Sequence, residues 1–303
     1  MKQLVILSGK GGTGKTSIAA AFAHLAYRNH PALQAVLVDA DVDAANLELV
    51  LQPCKLETHV FVSGETAVIN QELCSVCGTC LEVCRFEAVL PPSSKNNFLY
   101  QVDPIACDGC AACMYHCPST AIQMQEQQAG RWFKSESRYG PLFHAELLPA
   151  RENSGKLVTL VRQQARLNAL DSSADLVIID GPPGIGCPVI AAASGADLVL
   201  VVSEPTAAGI HDMMRILDLT RHFRMDAVIC MNKADLYPIG AEQILQYCIA
   251  NEVEMIGSIP FDDAIPNAMT MGKPVSAHQP LAPSSQAIAK IWDSLLAKLG
   301  LVS

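Results

Sequence analysis

A mostly parallel, doubly wound α/β sheet, interrupted by a small inserted α+β module, is the fold class this sequence predicts. Three observations point to it. Short apolar runs recur at residues 4–7, 35–38, 176–179, 198–202 and 227–231, and such runs suit strands covered on both faces. Segments of helical character follow several of them, as βαβ units require. Residues 65–130 break the pattern: they hold eight cysteines in two tight clusters and only two basic residues, Arg85 and Lys95.

The first run leads into Gly9-Lys10-Gly11-Gly12-Thr13-Gly14-Lys15-Thr16, which fits G-x-x-x-x-G-K-[ST]. Glycines let successive backbone N–H groups turn inward around phosphate oxygens, and the N-terminus of the next helix adds partial positive charge. Lys15 is expected to reach the terminal phosphates, and the Thr16 hydroxyl to ligate Mg²⁺. Residues 18–27 are Ala-rich and free of Pro and Gly, so they supply the helix this reading needs. A second lysine, Lys10, sits inside the loop. This K-G-G-x-G-K-[ST] form resembles the deviant Walker A motif of the MinD/ParA and nitrogenase iron protein superfamily. The resemblance implies ATP, a dimer that sandwiches two ATP molecules, and a Lys10 that reaches the partner's phosphates.

The second strand, residues 35–39, ends in Asp39-Ala40-Asp41, at the sheet edge where open α/β folds bind ligands. The segment resembles the superfamily's switch I, which implies that Asp41 positions or activates the attacking water and Asp39 supports the Mg²⁺ shell. Residues 56–62 read as an edge strand. After the insert, residues 131–137 alternate like a strand returning to the sheet, and residues 154–167 read as a helix with Ser154 as N-cap. The stretch 140–158 resembles the corresponding region of ferredoxin-bearing MinD-type ATPases. Residues 175–180 form a buried strand that delivers Asp180 to the Mg²⁺ region, a Walker B arrangement. Gly181-Pro182-Pro183-Gly184 then suits a switch II loop that senses the γ-phosphate through a backbone N–H.

Strand 198–202 precedes a helix at about 209–223. Strand 227–231 ends in Asn232-Lys233-Ala234-Asp235, a purine-recognition pattern, since an amide side chain both donates to and accepts from a base edge. The superfamily resemblance implies that Asn232 reads adenine. Asp235 leaves guanine open, as in GTPases, while the two-lysine loop favours ATP. Residues 253–259 and then Pro260 resemble the superfamily's last strand and adenine-side loop. Residues 287–299 carry Ile288, Ile291, Trp292, Leu295, Leu296 and Leu299 at helical spacing. MinD ends in a membrane-targeting amphipathic helix, but no basic stripe faces this apolar one, so packing against the core is expected.

Half of the 303 residues are apolar and 17% are charged, which permits a large core. The net charge of −9, without any Lys/Arg cluster, argues against nucleic-acid binding. No signal peptide or membrane-length apolar run is seen, so a cytoplasmic protein is expected, with membrane contact unlikely. In a reducing compartment twelve cysteines point to metal rather than disulfides.

The clusters read Cys74-x2-Cys77-x2-Cys80-x3-Cys84 and Cys107-x2-Cys110-x2-Cys113-x3-Cys117-Pro118. In two-cluster ferredoxins C-x2-C-x2-C presents three thiolates and the fourth comes from the other repeat. That pattern assigns Cys74, Cys77, Cys80 and Cys117 to one 4Fe–4S cluster and Cys107, Cys110, Cys113 and Cys84 to a second. The segment resembles bacterial-type ferredoxins over most of its length, with Arg85 in place of a Pro after Cys84. Eight thiolates would also suit zinc, but the spacing favours iron–sulfur. Cys54, Cys230 and Cys248 read as small buried hydrophobes, and Cys187, seven residues past Asp180, as a packing or shielded residue.

Residues 1–64 and 131–303 thus read as a deviant Walker A ATPase domain, and 65–130 as an inserted ferredoxin-like domain. The expected function is an ATP-hydrolysing iron–sulfur protein that couples a nucleotide-switched homodimer or related heterodimer to electron transfer toward an unidentified redox or cofactor-accepting protein. Two other classes fit the same residues: an assembly or maturation ATPase for iron–sulfur or metal cofactors, and a MinD-like positioning switch with a redox sensor. The C-x-x-C near the C-terminus used by Mrp-type cluster carriers is missing here.

Overall fold

The structure is a computed structural model, and it describes residues 1–93, 99–149 and 153–302. The chain divides into two compact units: Met1–His59 with Trp132–Glu146 and Ser154–Ser303, and Val60–Arg131 with Leu147–Asn153. The second unit is wider than the 65–130 expected, because it takes in residues 60–64 and a later piece of chain.

The first unit opens with β1 (Lys2–Ser8), α1 (Lys15–Asn29), β2 (Ala35–Asp39) and α2 (Leu47–Leu51). β3 (Cys54–Ile69) then continues into the second unit. That unit adds α3 (Thr79–Val83), β4 (Val89–Leu90), β5 (Gln101–Val102) and α4 (Ala112–Tyr115) before β6 (Ile122–Ser137) returns to the first. A two-residue turn joins β6 to β7 (Gly140–Leu147), and α5 (Ser154–Asp171), β8 (Leu176–Pro183) and α6 (Cys187–Ala193) follow. The chain ends with β9 (Leu198–Ser203), α7 (Ala207–His222), β10 (Ala227–Asn232), α8 (Pro238–Ala250), β11 (Met255–Ile259), α9 (Ala264–Thr270), α10 (Val275–His278) and α11 (Pro283–Leu299).

The large sheet has the order β11-β10-β9-β1-β8-β2-β7-β6-β3. β8 lies parallel between β1 and β2, with Ile6 opposite Asp180 and Asp39 opposite Asp180. Three chemically active strand ends therefore converge. The apolar runs are buried as expected: every residue of β2 and β9 is covered, and so is β1 after Lys2. Alanines on α1 let this helix approach the sheet closely, and Phe22 packs on Trp292 of α11 with ring centroids 5.0 Å apart. The apolar stripe of α11 is spent in this core, and among the described residues no helix is long and apolar enough to cross a membrane.

Two local expectations differ from the structure. Ser154 is the first helical residue of α5 and not its cap. β8 stays extended through Pro183, pairing it with Ser8 after a register shift, so the expected loop begins later. Proline tolerates extended backbone, and Gly181 permits the close packing: a Cβ there would stand 2.7 Å from the Ile6 carbonyl oxygen.

Beside β2 lies a polar cluster that links α2, β3, β6 and β7. His144 is 1% exposed, with Nδ1 3.2 Å from Glu48 Oε2 and Nε2 2.9 Å from Ser135 Oγ. Phe133 stacks on its ring at 4.9 Å, and Lys55 Nζ lies 3.5 Å from Glu48. Burial first, and Lys55 second, push the imidazole down to about 4. His144 is then neutral at pH 7, and its partners select the tautomer in which Nδ1–H donates to Glu48. The folded value lies below the unfolded one of about 6.5, so the unfolded chain binds the extra proton. The associated stability is complete above pH 6.5 and is lost as pH falls toward 4, by roughly 2 kcal/mol at pH 5. Urea titrations at pH 7 and pH 5 check this: His144→Gln is expected to remove that part of the slope, and parallel slopes would refute it.

Candidate nucleotide site and cysteine hollows

β1 delivers the phosphate loop at its buried C-terminal end. Gly12 and Gly14 have φ of +79° and +94°, the left-handed region that glycine enters without strain. A Cβ on Gly14 would meet the Asn232 amide nitrogen at 2.5 Å, so glycine is required there twice over. Gly9 packs against Asp212 of α7 with no room for a side chain. Thr13 is buried, with its hydroxyl 3.5 Å from the Lys10 carbonyl oxygen. Lys15 opens α1 and donates to Ser8 Oγ at 2.8 Å. Burial lowers the Lys15 ammonium below its ordinary value, while Asp180, Asp41 and Asp39 oppose that shift.

The carboxylates converge from adjacent strands. Asp39 is fully buried and accepts from Leu47 N at 2.9 Å and Asp41 N at 3.1 Å, which shapes the turn after β2. Burial, and then its neighbour Asp180, hold the Asp39 carboxyl well above the usual carboxylate range. Asp180 is 1% exposed and neither of its buried oxygens has a hydrogen-bond partner. Burial pushes it up to about 6 against the pull of the nearby Thr16 hydroxyl and Lys15. Burial also raises Asp41, which Lys15 counteracts. A buried carboxylate without partners is costly unless something positive completes it. Oxygen donors from Asp180 and Thr16 fit Mg²⁺, a hard cation that prefers such ligands.

A cavity of about 600 Å³ opens beside these groups. Gly11, Gly12, Gly14, Lys15 and Thr16 line it from the loop, with Asp41, Asn232 and Pro260 from other strand ends. Gly9, Lys10, Thr13, Asp39, Asp180 and Gly181 do not line it. Ile265 and Pro266 of α9, in a stretch 265–268 whose sequence extends the resemblance to the superfamily's adenine-side region, line it as well; sequence reasoning missed Met269, one turn further along the same helix. Asn232 is 3% exposed; its amide donates to Thr13 O at 2.8 Å and its Oδ1 accepts from Lys233 N at 3.0 Å. Much of its bonding capacity therefore braces the loop. Lys10 pairs with Glu204 of its own chain at 3.1 Å, and Lys233 pairs with the same carboxylate at 2.5 Å. Burial works to raise Glu204, but the two lysines hold it below its ordinary value. In the sequence Glu204 stood out only as part of Glu204-Pro205-Thr206, the connection from strand 198–202 to the next helix.

The second unit has a small core of Ala67, Ile69, Val89 and Ile122 together with Cys80 and Cys113. β4 and β5 pair antiparallel, Val89 opposite Val102. Left-handed residues start both short helices, Gly78 before α3 and Ala111 before α4, and these turns present the cysteines. One hollow is lined by Cys74, Cys77, Cys80 and Cys117, and another by Cys84, Cys107, Cys110 and Cys113. The Ala121 N–H donates to Cys117 Sγ at 3.3 Å. Among the described residues no group of three or more His, Cys, Asp or Glu side chains is placed to hold a metal ion. All twelve cysteines are free thiols. Cys230 and Cys248 are buried as expected, burial pushing the Cys230 thiol up to about 12. Cys54 and Cys187 are exposed, contrary to expectation: Cys54 opens β3 and Cys187 opens α6, element ends that leave side chains uncovered.

A strand, a glycine loop and a helix, with acidic groups at neighbouring strand ends, define a P-loop nucleotide-binding α/β protein. The sequence matches the CobQ/CobB/MinD/ParA nucleotide binding domain over residues 4–275. An uncharacterised protein of Methanocaldococcus jannaschii is 31% identical over 87% of this chain and 86% of its own length. An iron-sulfur cluster carrier protein of Pyrococcus horikoshii is 23% identical over 98% and 86%. The fold is similar to that of the septum site-determining protein MinD of Pyrococcus horikoshii complexed with Mg-ADP, with a TM-score of 0.59, 16% identity, and 99% and 98% of the two chains covered. The chain belongs to the CobQ/CobB/MinD/ParA family and is a ParA/MinD-type ATPase.

Proposed function

We propose that this ATPase couples a nucleotide-switched dimer to electron transfer through two 4Fe–4S clusters held by residues 65–130. The observation that carries the reading is the division of eight cysteines between two hollows. Each hollow has four, three from one repeat and one from the other, as the ferredoxin spacing demands. The chemistry of the donors fits: a cube-shaped cluster takes one thiolate at each corner, around a space, whereas zinc draws four ligands onto a point. The small apolar core of this unit is also what a metal-stapled module has. Bound there, the clusters would supply one-electron chemistry.

On the ATPase side, Lys15 and the loop N–H groups would hold the phosphates, and Thr16 and Asp180 the Mg²⁺, with Asp39 in support. Asp41 would position the attacking water, Asn232 and Pro260 would flank adenine, and Gly181 would let switch II close on the γ-phosphate. Lys10 would leave Glu204 to reach the phosphates of a second subunit; Lys233 would remain to pair Glu204. Coupling requires that the electron-donating state bind ATP more tightly than the alternative.

A second reading, assembly or delivery of clusters, is favoured by relatives named iron-sulfur cluster carriers. Anaerobic purification followed by metal, sulfide and phosphate-release assays separates the readings. Electron transfer predicts about eight iron and about eight sulfide per chain that resist transfer to an apo-ferredoxin, together with Mg²⁺-dependent ATP hydrolysis. Rapid ATP-dependent loss of iron to the acceptor favours delivery, and zinc in place of iron overturns both.

A further inference from the structure

Resting on the reading of Asp41 as the group that places the attacking water, we infer that His144 is a positioning residue for ATP hydrolysis. Through Glu48 it fixes the turn that carries Asp41. That turn, residues 40–46, runs from the end of β2 to the start of α2. Its entry is held by Asp39, which accepts from Asp41 N and Leu47 N, and by Ala40 N, which donates to Asp180 O at 2.8 Å. Its exit is α2, a helix of five residues, too short to be stable without outside partners. Leu47, Val50 and Leu51 give α2 an apolar hold on the core. Glu48, in its first turn, gives the polar one: Oε2 lies 3.2 Å from His144 Nδ1 and 3.5 Å from Lys55 Nζ.

Of the two partners of Glu48, the imidazole is the rigid one. His144 sits on β7 opposite Asp39 of β2, is 1% exposed, and is held by Ser135 at Nε2 and by Phe133 on its face. Lys55 is half exposed on a flexible stem, so its pairing supplies charge more than geometry. The far end of α2 has a separate hold, since Arg138 Nη2 donates to Val50 O at 3.4 Å and to Gly272 O at 2.9 Å. Losing the His144 bond therefore frees the first turn of α2, the end that joins the Asp41 turn. Neither His144 nor Glu48 lines the 600 Å³ cavity, whereas Asp41 does. Their effect on turnover must pass through Asp41 and leave the phosphate loop as it is.

Hydrolysis of radiolabelled ATP, which counts slow turnover, and ATP affinity test this in His144→Ala, Glu48→Ala, Glu48→Gln, Asp41→Ala and the double variant Asp41→Ala with His144→Ala. Melting temperatures ensure that each is assayed folded. His144→Ala and Glu48→Ala are expected to lose about 10- to 100-fold in kcat, the cost of misplacing a reacting group by about 1 Å. Their ATP affinity should stay within about threefold of wild type, a split that general loosening of the fold would not give. Glu48→Gln keeps an acceptor for the His144 Nδ1–H and is expected to recover kcat to within about threefold. The double variant is expected to be no slower than Asp41→Ala, because both changes act on one step. Should His144→Ala not fold, Glu48→Ala at its partly exposed position carries the same prediction. Multiplied losses in the double variant, equal losses of kcat and affinity, or wild-type kcat in Glu48→Ala overturn the inference alone. Wild-type hydrolysis by Asp41→Ala overturns the reading of Asp41, and the inference with it.

Discussion

Replacing Lys15 with alanine is expected to lower ATP hydrolysis by about 10²–10³-fold, the cost of deleting one preorganised charge from a phosphoryl-transfer site. The ammonium is buried at 6% exposure and faces Asp180, Asp41 and Asp39, with Ser8 Oγ as its hydrogen-bond partner. Few groups could replace it. Its loss also leaves three carboxylates facing one another in a poorly hydrated space, so Mg²⁺ becomes the sole positive charge there. Phosphate release at saturating Mg-ATP, with nucleotide affinity measured separately, checks the effect. A variant within about threefold of wild type would show that Lys15 is not aimed at the transferred phosphate.

Cys117→Ser is expected to remove one cluster and spare the other. Cys117 lies in the second repeat by sequence but shares its hollow with Cys74, Cys77 and Cys80. Iron per chain should fall from about eight to about four, and the surviving cluster should be the one held by Cys84, Cys107, Cys110 and Cys113. A paired variant, Cys117→Ser with Cys77→Ser, should lose no more iron than the single change, because both residues serve one site. Cys117→Ser with Cys110→Ser should lose nearly all of it. If Cys117→Ser instead depletes iron only together with Cys107 variants, each repeat closes its own site and the crossed assignment fails.

Local, fixed-spacing chemistry was the legible part of this sequence. The glycine loop, Asp39 and Asp180 lie at ends of strongly apolar runs, so both their element and their direction follow from pattern alone. The cysteine repeats have the same fixed spacing, and the two sets of four proposed from it line two separate hollows. What depends on contacts distant in sequence was not. Glu48, Ser135 and His144 meet only because α2 packs beside β6 and β7. Lys10 was read through its resemblance as a group for a partner, yet in the chain alone Glu204 takes it. Met269 reaches the cavity from the end of α9, just past the stretch 265–268 that the resemblance covered. The exposure of Cys54 and Cys187 turned on element ends, which periodicity places poorly. Asp235 shows the limit most plainly: the motif was readable, but its carboxylate is used by the Phe261 backbone, 26 residues away.

Coupling between nucleotide and clusters is read out by a redox titration followed by electron paramagnetic resonance. The anaerobic protein is titrated with and without Mg-ATP, beside Lys15→Ala as control. Coupling predicts that Mg-ATP shifts the midpoint potential or line shape of at least one cluster in the wild type and leaves the variant unchanged; by linkage, cluster reduction must then alter ATP affinity by the same factor. Identical titrations with and without Mg-ATP, from protein that carries both clusters and hydrolyses ATP, would rule out coupling at the clusters.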